Sequence, residues 1–164
     1  MTLIHSQQIA DPMAALVSLQ REVRRGMPTN TTGQGSEIRI VLDQHNGVTR
    51  YTYARIEHER VKAISLFVRN KSIDGIASFN VGYAVPVAYR NRGWAKEIVE
   101  LGIKELSAGL GGHGVTQFYV EAVVGKDNIA SQRVAIAVFG GEPKEGLDSE
   151  SGQPVLSYTR LVKR

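Results

Sequence analysis

The chain has 164 residues, 42% of them apolar and none of them cysteine. That is enough for one sizeable core, and it excludes disulfides, thiolate nucleophiles and cysteine-built zinc sites. The net charge of +4 comes from scattered basic residues rather than a dense run, which suits a phosphate-bearing ligand ahead of nucleic acid.

Residues 1–13 lack the basic and long apolar regions of a secretory signal, and charges or glycines interrupt every apolar stretch before bilayer length. The expectation is a cytoplasmic protein without membrane contact, one domain over residues 1–164. Asp11-Pro12 reads as a helix start, with Asp as N-cap and Pro at the first helical position. Met13, Leu16, Val17, Gln20 and Val23 follow at helical spacing, and Gly26 and Pro28 end the helix. Thr29–Ser36 reads as a loop. Glu37–Leu42, Val48–His58 and Val61–Arg69 have strand character, with Asn46-Gly47 as a turn signal. Ile76–Val85 alternates, with Ala77, Phe79, Val81, Tyr83 and Val85 on one face.

Trp94–Leu106 is the strongest helix. Ala95, Ile98, Val99, Gly102, Ile103 and Leu106 form its apolar face, and Lys96, Glu100 and Lys104 its wet face. A glycine-rich link, Gly109–Gly114, leads to a strand, Thr116–Val124. Asn128–Val138 reads as a shorter helix stopped by Gly140-Gly141, Glu142–Gln153 as a loop or hairpin tip, and Val155–Val162 as a last strand. Short turns early in the chain predict an antiparallel meander, and the two late helices predict a parallel part of the sheet.

The segment Tyr83–Glu97 carries the chemistry. A strand ends at Val85, and a short loop enters a helix near Gly93. The first turn of a helix has N–H groups without intrahelical partners and a positive dipole end, which together attract phosphate. Gly93 lets an anion approach the backbone, Ala95 keeps the turn open, and Arg90, Arg92 and Lys96 add charge. An ordinary strand-to-helix loop stands as the alternative on these features alone.

Arg90-x-x-Gly93-x-Ala95 resembles the (Gln/Arg)-x-x-Gly-x-(Gly/Ala) signature of the GNAT acetyltransferases. Val120-Glu121-Ala122, followed by Asn128 and Ser131, resembles that superfamily's second conserved region. The resemblance covers residues 76–141. It implies an α/β GNAT fold, with a mixed, largely antiparallel twisted sheet flanked by helices and two strands splayed around Ala84 and Ala122. It implies acetyl-CoA as cosubstrate and a primary amine as acceptor, attacked directly, with no metal. Tyr83, Ala84 and Val85 would pair with the pantetheine arm, and an N–H near Val85 would polarise the acetyl carbonyl. The N–H groups of Asn91, Arg92, Gly93, Trp94, Ala95 and Lys96 would hold the diphosphate, and Asn128 would touch the pantetheine arm. Glu121 matches the family's general base. The family's acid, a tyrosine seven residues beyond the asparagine, is replaced by Ala135. Ser131 is the next candidate, and Tyr119, Tyr83 and Tyr158 are further ones. Proline is common in the family where this chain has Val87, and here Pro86 comes one residue earlier. Members often form homodimers. An inactive acyl-CoA-binding module and an RNA- or aminoacyl-tRNA-directed protein remain the alternatives.

Gly109-Leu110-Gly111-Gly112-His113-Gly114 spells G-x-G-x-x-G, but it follows a helix and precedes a strand, the reverse of a dinucleotide site. His5, His45, His58 and His113 lack the spacing of metal ligands.

Overall fold

A computed structural model describes residues 2–5, 11–27, 30–31, 38–45 and 47–164. The chain order is β1 (Leu3–Ile4), α1 (Pro12–Arg24), β2 (Asn30–Thr31), β3 (Ile38–His45), β4 (Val48–Glu57), β5 (Arg60–Ile73) and β6 (Ile76–Ala84). Then follow α2 (Trp94–Gly111), β7 (Gln117–Gly125), α3 (Ile129–Phe139), β8 (Lys144–Asp148) and β9 (Pro154–Lys163). The strands form one sheet ordered β1-β8-β9-β7-β6-β5-β4-β3-β2. β3 to β6 make the expected antiparallel meander, and β2, two residues of the segment read as a loop, pairs antiparallel with β3. The α2 crossover makes β6 and β7 parallel, while β9 inserts antiparallel between β7 and β8.

Alternation along the strands divides the core. Phe67, Phe79, Val81, Phe118, Val120 and Tyr158 face α2 and α3. Ala54, Ile64, Leu66 and Ala84 face α1, which buries Leu16 and Leu19 on them. Asp11 caps α1 as its sequence predicts, its Oδ1 accepting from the Met13 amide at 3.1 Å. Gln20 pins that helix to the β4–β5 turn, donating to the Glu59 carbonyl and accepting from the Val61 amide, both at 2.8 Å. α2 lies close to β5 at Gly102, where a Cβ would stand 2.6 Å from the Phe67 ring. Ser65 Oγ donates to the Ile98 carbonyl in the same contact.

Several boundaries differ from the sequence reading. α2 runs on to Gly111, so Gly109 and Gly111 are helical rather than a link, and Arg164 lies against Gly111. Glu142–Gln153 contains β8, a five-residue strand with three charged residues and no alternation to read. β1 was equally invisible: two residues parallel to β8, admitted because Gly146 leaves space for Thr2 and Ile4. β5 extends past Arg69 to Ile73. Glu100, assigned to the wet face, is half-buried and binds Arg160 of β9 at 3.1 Å. Asn46 and most of Thr29–Ser36 lie outside the described residues. No described helix is long and apolar enough to cross a membrane.

Candidate active site

The parallel ladder between β6 and β7 has only three registered pairs, Ser78 with Tyr119, Phe79 with Val120 and Asn80 with Glu121. Beyond them each strand keeps its outer partner, β5 up to Ala84 and β9 up to Gly125, but the two strands no longer pair with each other. A cleft of about 630 Å³ fills the opening. Its walls are Val81–Val85 on one side and Ala122–Gly125 on the other, the splay expected around Ala84 and Ala122.

At the mouth, Val87–Tyr89 forms a single 3-10 turn and Arg90 Nε donates back to the Val85 carbonyl at 3.0 Å. Asn91 and Gly93 take left-handed backbone angles, φ 63° and 76°. Such turns gather successive amides into an anion-binding concavity. Gly93 offers no side-chain cap to α2. Among the described residues, the amides of Asn91, Arg92, Gly93, Trp94, Ala95 and Lys96 therefore find no acceptor within the protein. Arg90, Asn91, Gly93, Trp94, Ala95 and Lys96 line the cleft. The Arg92 side chain instead stands 5.4 Å from the Trp94 ring centre, outside the lining.

The loop is braced from the sheet. Arg55 of β4 pairs with Glu97 in the first turns of α2 and lies 5.6 Å from the Trp94 ring centre. Lys62 sits 5.2 Å from the Tyr89 ring centre and 5.4 Å from that of Trp94. The Lys62 ammonium, hydrogen-bonded at 2.6 Å, holds the Glu57 carboxyl below the usual carboxylate range.

Asn128 and Ser131 line the opposite wall. Asn128 caps α3, its Oδ1 accepting from the Ser131 amide at 3.2 Å. Tyr83 spans the cleft, its hydroxyl donating to the Ser131 carbonyl at 2.8 Å. Glu121 stands at the apex, in the last pair of the ladder, and does not line the cleft. Its Oε2 accepts from Ser157 Oγ at 2.8 Å, on the sheet face away from α2 and α3.

The sequence reading missed part of the lining. Asp11, Pro12 and Met13 bring the start of α1 into the cleft, and Arg133 lines it from α3. Gln132 braces the β7–α3 turn, donating to the carbonyls of Gly125 at 3.2 Å and Lys126 at 2.7 Å. The Asp11-Pro12 pair signalled a helix start, but nothing local says where that start docks. No cluster of three potential metal ligands occurs among the described residues.

No protein-family model and no curated protein matches the sequence. Solved structures do match its shape. A GNAT-family acetyltransferase from Streptococcus pneumoniae superposes with TM-score 0.54 over 94% of this chain and 97% of its own, at 16% identity. The ribosomal-protein-S5-alanine acetyltransferase of Vibrio fischeri gives TM-score 0.51 and 13% identity over 71% of this chain. The match spans 62% of that enzyme, less than two thirds of its length. The NatC complex bound to Gag peptide and CoA gives TM-score 0.54 and 13% identity, over 68% of this chain and 71% of that one. This chain has the GNAT fold.

Proposed function

We propose that the chain, as one domain, transfers the acetyl group of acetyl-CoA to a primary amine by direct attack. One observation carries this reading: among the described residues six amides leading into the uncapped start of α2 find no acceptor, and five of them belong to residues that line a cleft where two strands part. The amides and dipole would hold the diphosphate, with Arg90 and Lys96 beside it. The edge of Tyr83–Val85 and the Asn128 turn would hold the pantetheine arm, so that the thioester reaches the apex. Glu121 would take the acceptor's proton from the α1 side of the sheet, and Ser131 would face the sulfur from α3.

Two of the fold neighbours carry a ribosomal protein in their description or a bound peptide. A protein amino terminus is therefore the first acceptor to screen, before small amines. The test is a thermal shift with coenzyme A and acetyl-CoA, followed by free-thiol release across acceptors. The expected result is protection by millimolar coenzyme A and thiol release that depends on an amine. No protection would remove the reading. Glu121→Gln should lower kcat about 100-fold, the usual scale for losing a general base, while keeping the thermal shift.

A further inference from the structure

Glu121 belongs to the last pair of the β6–β7 ladder, so its backbone stops short of the cleft that it would serve. Thr159 of β9 lies directly opposite it, on the same face of the sheet, and is exposed. The carboxylate leans past Thr159 to Ser157, whose Oγ donates to Oε2 at 2.8 Å. Ser157 is the partner of Val123, two residues further along β7 toward the open end. Two residues of strand span about 7 Å, and diagonal neighbours on one face are within reach of a long side chain. The lean therefore carries the carboxylate off the ladder, toward the level of Val123, which lines the cleft. Ser157 is built to hold it there. The residue is 5% exposed, so water does not compete for the bond. Its strand is paired on both sides at this point, with Val123 of β7 and Lys144 of β8. A donor on such a strand is held more precisely than one on a loop.

We propose that Ser157 is a positioning residue for the base, its hydroxyl holding the Glu121 carboxylate toward the part of the cleft where the strands separate. This rests on the acetyl-transfer reading above. The acceptor's proton passes to the carboxylate, and the serine keeps its own proton throughout. Without the hydroxyl the glutamate spreads over more rotamers, and the share of molecules with the base in reach of the amine falls. The loss is one of rate, because Ser157 stands behind the carboxylate and not among the residues that line the cleft.

The test uses the whole chain, acetyl-CoA and a short peptide with a free amino terminus, read by thiol release. Ser157→Ala should lower kcat about 10-fold, the scale of one hydrogen bond to a charged group, with KM for acetyl-CoA and the coenzyme A thermal shift unchanged. Ser157→Thr and Ser157→Val give side chains of one shape that differ by the hydroxyl. The first should recover most of the rate and the second should not, which keeps the test sound if alanine disturbs the sheet. Thr159→Val, directly opposite Glu121, should leave kcat as it is. In the Glu121→Gln background, Ser157→Ala should cost less than about twofold more, since a residue that acts through the carboxylate has nothing left to place. An equal loss in both backgrounds would mean that Ser157 only supports the strand, and would overturn the proposal. Equal rates for Ser157→Thr and Ser157→Val would do the same. A parent chain that neither binds coenzyme A nor releases thiol would instead remove the acetyl-transfer reading itself.

Discussion

Gly93 shows how much of a site can depend on a missing side chain. Open space surrounds the position where a Cβ would stand, so sterics alone would admit alanine. The constraint is the backbone angle, φ 76°, which costs an L-residue about 1 kcal/mol or more. Gly93→Ala should lower the melting temperature by a few degrees and weaken coenzyme A binding further, because relief of the strain turns the amides. Calorimetry of binding beside a melting curve separates the two effects. Asn91 shares the conformation, which asparagine tolerates better than most residues. Gly93 stood out in the sequence because a glycine ahead of a helix is a local signal; the left-handed turn at Asn91 did not. Where the side chains of Glu121 and Tyr83 lie was less legible. Facing and distance across a sheet depend on register, and register is set by residues far away in the chain.

At the level of elements, the first turns of α2 contain an acid, Glu97, close to where a diphosphate would sit. Arg55, reaching over from β4, pairs with it. Arg55→Ala should therefore weaken coenzyme A binding severalfold by leaving that carboxylate uncompensated, and Arg55→Ala with Glu97→Ala should restore most of the loss. A purely structural role for Arg55 would leave the double variant as weak as the single one. Gly102 makes the other close contact of α2. Gly102→Ala should destabilise the chain by about 1–3 kcal/mol through overpacking against Phe67 and Ser65, as read by chemical denaturation. Helices whose apolar stripe, cap and stop are local, such as α1, were placed from the sequence to within two residues. The end of α2 was not, because Gly109 and Gly111 are poor helix formers, and Arg164, which lies against Gly111, is distant in sequence. Short polar strands such as β8 have no periodicity to betray them.

For the molecule as a whole, charge and topology act together. Three helix starts, those of α1, α2 and α3, converge on one cleft, and Arg90, Lys96 and Arg133 stand around it. Asp11 and Asn128 already cap two of those helices, while the third has no side-chain cap. Coenzyme A binding should weaken as salt rises from about 50 to 500 mM, because the screening length contracts to a few Å over that range. Titration calorimetry at the two salt concentrations would measure it, and an affinity indifferent to salt would argue against a site built on these charges. The topology was partly legible, since helix–strand alternation announces a parallel crossover. The insertion of β9 between β7 and β8 was not, because it is a choice of partner among strands distant in sequence.

The three-pair ladder at Ser78–Asn80 has a mechanical consequence. Among the described residues it is the strand pairing that joins a five-stranded half of the sheet, β2 to β6, to a four-stranded half containing β7, β9, β8 and β1. A molecule lying between Val81–Ala84 and Ala122–Gly125 would bridge the halves, so occupancy and rigidity should rise together. Deuterium uptake at those two segments should slow on adding coenzyme A, while uptake in β4 and β5, far from the joint, should stay as it was.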